Sequence, residues 1–252
     1  MEPVTQYFSV NSFGFKRIVF DPGRNLRTLF HENARHGIQS ADPKRSHEPL
    51  AYYHRNGPLG DVFSAFTRRG AGGQVAVIGL GIGAMAAYAE IGQHFTFFEI
   101  DPTVANVAVD TRYFTFLSQC RGTYEIVLGD GLVKLGETRD RHYDMIVLDA
   151  FISDAIPSHL VSREAIAVYL SKLAEGGILT FHTSNVHVDL APVLGTLAAE
   201  AGLVCLSRAD FVIGDDERSS GKLPSQYVVM ARRLEDIREL ADNSSWKPPD
   251  PG

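Results

Sequence analysis

Cysteine is scarce in this chain of 252 residues: Cys120 and Cys205 are the only two, and neither sits in a CxxC or metal-ligand spacing. That scarcity rules out a disulfide framework and gives no cluster for a metal; it fits a reduced compartment with two structural thiols. Positive charge is also short, with 24 Lys and Arg against 30 Asp and Glu and a formal net charge of −6. Arg68-Arg69 and Arg232-Arg233 are brief and isolated, so no basic stripe tracks a nucleic-acid backbone, and a cationic partner suits the balance better. Long hydrophobic runs are missing too. The most apolar window, 75–91, is broken by glycines and Glu90, and Met1-Glu2-Pro3 leads into polar sequence without a signal-peptide core. The expectation is a soluble, cytoplasmic chain with no direct membrane insertion.

What is present is enough apolar sequence, 44% of residues, to bury a full core. Up to residue 56, the β-like runs FKRIVF (15–20) and LRTLFHE (26–32) flank the turn DPGRN, predicting a small N-terminal β-hairpin module. From 57 to 234, strand and helix signals alternate. VAVIGL (75–80) precedes an Ala-rich helix and FTFFEI (95–100) another; YEIVLGD, YDMIVLD, GILTFHTS and LVCLS follow in order. Continuous apolar strands between helices predict a parallel sheet covered on both faces, an α/β Rossmann-like domain. LVCLSRADF and SQYVVMARR close it as an antiparallel pair, the arrangement of class I S-adenosylmethionine methyltransferase-like folds. Residues 235–252 lose periodicity and end in prolines, predicting a flexible tail.

The first chemical motif is Gly79-Leu80-Gly81-Ile82-Gly83-Ala84, at the end of the first core strand. Glycines permit a sharp turn and close approach to a ligand, and a following helix would point its N-terminus at the same crevice. Glu99, at the tip of the next strand, is placed to accept both hydroxyls of a ribose. GxGxxA with an acidic residue also satisfies a dinucleotide fingerprint. The GxGxG form, the Asp130-Gly131 pair ending the third strand and the antiparallel closing pair favour a sulfonium nucleoside over NAD.

Taken together, HGIQS (36–40), RSHEPLAYY (45–53), VIGLGIGAMAAY (77–88), FFEIDP (97–102), GDG (129–131) and the run from Tyr143 to Asn185 resemble the spermidine synthase-like proteins, especially a bacterial branch fused to transporter-like membrane segments. The resemblance spans about residues 15–232. It implies a polyamine aminopropyltransferase ancestry, decarboxylated S-adenosylmethionine as donor, a small amine as acceptor, and dimers built partly through the N-terminal module. It also places Gln39, Asp101 and Gly131 with the glycine loop, Glu99 and Asp130 at the nucleoside, Tyr52 and Asp149 at the chemistry, and Tyr53, His36 and Asp154 at the acceptor.

Asp149 ends the fourth core strand, where open α/β sheets carry their reacting groups. Attack of an amine on a sulfonium carbon needs an unprotonated nitrogen held in line, which a carboxylate can orient and deprotonate. Asp154 either binds a second ammonium or caps the helix expected near 158–174. Ser184-Asn185 lines the cleft or ends the fifth strand, and no Ser-His-Asp spacing is evident. Two family elements are missing: Ile82 stands where an aspartate holds the donor's amine, and Tyr53-His54 where His-Glu follows the acceptor tyrosine. Three readings therefore stay open: aminopropyl transfer with release of methylthioadenosine, methyl transfer from S-adenosylmethionine, and a non-catalytic nucleoside-binding regulatory domain.

Overall fold

The computed structural model describes residues 2–70, 73–151, 156–184 and 189–250. The chain opens with a four-stranded antiparallel meander, β1 (Val4–Asn11), β2 (Gly14–Asp21), β3 (Leu26–His31) and β4 (Ala34–Ser40), in the order β1-β2-β3-β4. The expected hairpin around DPGRN is its middle pair, with Asp21 opposite Leu26. Helix α1 (Pro58–Arg68) begins at a proline, whose missing N–H costs nothing in the first turn, and leads into the main sheet.

That sheet runs through β5 (Gly73–Ile78), β6 (Gln93–Glu99), α2 (Pro102–Val109), β7 (Thr123–Leu128), α3 (Gly131–Gly136) and β8 (Tyr143–Leu148). It continues with α4 (Arg163–Lys172), β9 (Leu173–His182), α5 (Ala191–Glu200), β10 (Val204–Asp210), α6 (Asp215–Ser220), β11 (Ser225–Ala231) and α7 (Arg238–Ala241). The strand order is β10-β11-β9-β8-β5-β6-β7; β7, β6, β5, β8 and β9 pair in parallel, and β11 enters antiparallel between β9 and β10. The antiparallel closing pair expected from the sequence is therefore formed. Strand direction puts the carboxyl ends of β5, β6 and β8 on one edge, with β5 and β8 at the switch point of the strand order.

The apolar runs sort by side-chain alternation. Val75 and Val77 pack with Met145, Val147 and Val229 on one face; Ala76 and Ile78 pack with Ile146, Leu148 and Val228 on the other. At roughly 1.5–3 kcal/mol for each fully buried large aliphatic side chain, these two layers are the main source of stability.

Two expectations differ from the structure. The Ala-rich stretch after the glycine loop forms a single 3-10 turn, Ala84–Tyr88, in place of an α-helix. Only residues 84–92 separate the left-handed Gly83 from β6, too short a span for a full helix and its return. No helix N-terminus faces the crevice there, and a helix dipole contributes nothing at that loop. Residues 235–250 also differ from the expected fraying. Ile237, Leu240 and Trp246 are buried, the Trp246 indole donates to Asp61 at 2.9 Å, and Lys247 exchanges backbone hydrogen bonds with Ser207. One aromatic anchor supplies what the missing periodicity did not signal. No helix among the described residues is long and apolar enough to cross a membrane.

Candidate active site

The carboxyl edge of the main sheet and the inner end of the meander enclose a cavity of about 430 Å³. Gly79 sets its floor. Its φ is +99°, and a Cβ there would lie 2.3 Å from the Asp149 carbonyl oxygen, so only glycine lets the ends of β5 and β8 close on each other. Asp149 N–H to the Ile78 carbonyl, at 2.8 Å, stitches these two strand ends together, and Gly79 N–H to the Phe98 carbonyl, also 2.8 Å, ties the end of β5 to β6.

Glu99 lies on the cavity wall and is 7% exposed. Its two oxygens accept the backbone N–H groups of Leu80 at 3.0 Å and Asp101 at 2.9 Å, fixing the carboxylate against the glycine loop. Burial pushes its pKa up, against the pull of those two donors. Each oxygen keeps a lone pair for a ligand hydroxyl.

Asp101 is committed differently. Its side chain caps α2 through Thr103 N–H, accepts from the Asn11 amide, and forms a buried ion pair with Lys16 of β2. Burial would raise its pKa, but Lys16, Thr103 and Asn11 together hold it below the usual value. Asp101 thus ties the meander to the main sheet at the cavity. Asp130 caps α3 through Val133 N–H at 3.0 Å and meets His159 Nε2 at 3.1 Å.

Asp149 occupies the centre. Its Oδ2 accepts the Tyr53 hydroxyl at 2.8 Å, and its Oδ1 lies 2.5 Å from His182 Nδ1. His182 Nε2 lies 2.7 Å from Ser184 Oγ, which accepts the Gln226 N–H at 2.8 Å. The imidazole stacks on Tyr227, centroids 4.6 Å apart and planes within 9°. Tyr53 is buried, and burial together with the Asp149 charge drives its pKa well above the ordinary tyrosine range, so the phenol stays a donor.

The structure brings most of the sequence-predicted residues to this one cavity: Gly79, Gly81, Glu99, Asp101, Asp130, Gly131 and Asp149, with Tyr52, Tyr53 and His36. Four of the expected residues have surroundings of their own. Tyr53, placed at the acceptor, is the tyrosine that reaches Asp149. Tyr52, placed at the chemistry, lies beside His182 with ring centroids 5.3 Å apart. Gln39 is not on the cavity wall; its amide bonds Ser46 and Thr115 and ties those two segments together. Gly83 is likewise off the wall, packed against Leu117. Asp154 and Asn185 fall outside the described residues. The sequence reading missed His182 and Lys16, and it saw no Ser-His-Asp spacing where Ser184, His182 and Asp149 are joined in space. The one signal for His182 was its position at the carboxyl end of an apolar strand, in TFHTS.

Ile82 is 1% exposed and off the cavity wall; a Cβ on Gly37 would lie 2.6 Å from its Cγ1. The side chain points into the meander, so the glycine loop offers the cavity no carboxylate at this position.

No protein-family model matches the chain. A polyamine aminopropyltransferase of Vibrio vulnificus (strain CMCP6) is 36% identical over 122 residues, which cover 45% of this chain and 40% of that relative's length. Among solved structures, spermidine synthase from Thermotoga maritima superposes with a TM-score of 0.67 at 16% identity, covering 93% of this chain and 75% of that one. A spermidine synthase in complex with the transition state analogue AdoDATO gives 0.62, also at 16% identity, over 93% and 74%. The fold is class I methyltransferase-like, an α/β sheet of predominantly parallel strands. The chain thus shares sequence with part of a polyamine aminopropyltransferase and its fold with spermidine synthases.

Proposed function

We propose that the protein is an aminopropyltransferase-like enzyme that moves an alkyl chain from a sulfonium nucleoside to a small amine. The donor is decarboxylated S-adenosylmethionine or S-adenosylmethionine, and the nucleoside product is methylthioadenosine. The observation that carries the reading is Asp149, a carboxylate at the switch point of the sheet, held on the cavity wall by Tyr53 and His182. Glu99 and the glycine loop supply the nucleoside side, and the carboxylates on the wall suit a cationic donor and acceptor. No metal is needed for this chemistry, since the positive sulfur already activates the carbon and the leaving group departs as a neutral thioether.

Ile82 is the reason for leaving both donors in the proposal. With no carboxylate in the glycine loop, the donor's amino group has no fixed counter-charge there, and a carboxylated donor is not disfavoured. A homodimer is part of the same reading. Edge strand β1 exposes Phe8 and Val10, at 62% and 66%, an apolar strip suited to a second copy.

Incubation with either donor and a panel of di- and polyamines, followed by mass spectrometry of the nucleoside, tests the proposal. Methylthioadenosine together with an alkylated amine is expected. S-adenosylhomocysteine would establish methyl transfer instead, and unchanged donor that still binds would indicate a regulatory nucleoside-binding domain.

A further inference from the structure

The hydrogen-bonded chain Asp149–His182–Ser184 defines one consistent set of protons. Gln226 N–H can only donate, so Ser184 Oγ accepts it, and the Ser184 proton is free to point at His182 Nε2. The Asp149 carboxylate can only accept, so it takes Nδ1–H from the other side of the ring and the Tyr53 O–H on its second oxygen. In this set the imidazole is the Nδ1–H tautomer, with its Nε2 lone pair directed at a hydroxyl that itself borders the cavity. The ring is clamped between Tyr227 and the edge of Phe151, which leaves it little freedom to turn away.

This arrangement bears on where the amine's proton goes. Asp149 already accepts a hydrogen bond on each oxygen, one from Tyr53 and one from His182. His182 has an accepting position with a conduit to the cavity. We propose that the proton acceptor of the transfer reaction is His182, reached through the Ser184 hydroxyl, with Asp149 as the positioning residue that fixes the ring and stabilises the imidazolium.

The inference rests on the alkyl-transfer reading above. In the step, the amine lone pair forms the new C–N bond while the C–S electron pair returns to sulfur and neutralises the sulfonium. The surplus proton on nitrogen passes to Ser184 Oγ as that hydroxyl's own proton moves to His182 Nε2. The imidazolium then donates from Nδ1 to the ionised Asp149 and from Nε2 to Ser184, so each polar atom of the chain stays partnered.

Two measurements test it. Long-range proton–nitrogen spectra of histidine-labelled protein at pH 8 are expected to show His182 in the Nδ1–H tautomer, with a bare Nε2. The Nε2–H tautomer would overturn the proposal, and this readout needs no substrate, so it stands even if no donor is turned over. In steady-state assays, Ser184→Ala is expected to lower kcat about tenfold or more with KM within about twofold, the scale of a lost proton-transfer partner. Ser184→Thr, which keeps the hydroxyl, should recover most of the rate. Wild-type kcat in Ser184→Ala, or equal losses in the Ala and Thr variants, would overturn the relay. His182→Gln should lose at least as much kcat as Ser184→Ala; because that ring is buried, the serine pair decides if the glutamine variant misfolds. Tautomer and serine results as expected, with methyl in place of aminopropyl transferred, would overturn the substrate reading alone.

Discussion

The Tyr53 hydroxyl donates to Asp149 Oδ2 at 2.8 Å across 96 positions of sequence, joining the loop after the N-terminal meander to the tip of β8. Its neighbour Tyr52 lies in the same cavity, with its ring centroid 5.3 Å from that of His182. Tyr53→Phe leaves one carboxylate oxygen without its donor, and kcat should fall about tenfold to a hundredfold. Tyr52→Phe should fall by less. Paired steady-state measurements check the order, and a larger loss in Tyr52→Phe would return that residue to the chemistry.

Glu99 is anchored by two backbone N–H groups, which leaves one face of the carboxylate to the cavity. Glu99→Gln should weaken methylthioadenosine binding about ten- to a hundredfold, the value of a charge-assisted hydrogen bond, as read by calorimetry. Methylthioadenosine should raise the wild-type Tm, whereas NAD should not. A shift with NAD alone would contradict the nucleoside assignment.

The Lys16–Asp101 pair is buried, with side-chain exposures of 1% and 4%. Removing one partner strands the other charge, so Lys16→Met should cost about 3–5 kcal/mol in urea unfolding. Because the folded Asp101 pKa is held down, its contribution is fully present above the unfolded value near pH ~3.9 and is lost as pH falls through the folded value. Asp101→Asn should therefore be less stable at neutral pH, with a flatter acid limb than wild type. Equal acid limbs would contradict the shift.

Ile82 packs against Gly37 in β4 and not toward the cavity. Ile82→Asp, which restores the residue type found in conventional spermidine synthases, should destabilise the fold by roughly 4 kcal/mol or more and not improve use of the decarboxylated donor. A gain in kcat/KM for that donor at full stability would show that the side chain turns into the site.

Much of this was legible beforehand. The apolar runs of β5, β6, β8 and β9 announced a sheet covered on both faces, and Glu99, Asp130 and Asp149 could be placed because strand ends carry function in open α/β sheets. His182 escaped notice because its partners, Asp149 and Tyr53, arrive from other strands and loops; no local spacing encodes a contact over 33 residues of sequence. The 3-10 turn at 84–88 escaped because alanine-rich composition speaks for helix while the length of the connection decides against it. The tie that Gln39 makes to Ser46 and Thr115 was not legible, because a buried amide that ties loops together carries the same sequence signature as one that touches a ligand.

In the proposed mechanism Asp149 serves the chemical step and not nucleoside binding. Asp149→Asn keeps the side chain's shape but removes its charge, so it cannot hold His182 as an imidazolium. The decisive comparison is methylthioadenosine affinity by calorimetry beside kcat at saturating donor and amine. Affinity is expected to stay within about threefold of wild type and kcat to fall by about a hundredfold or more. Unchanged kcat, or a loss of affinity that matches the loss of turnover, would contradict it.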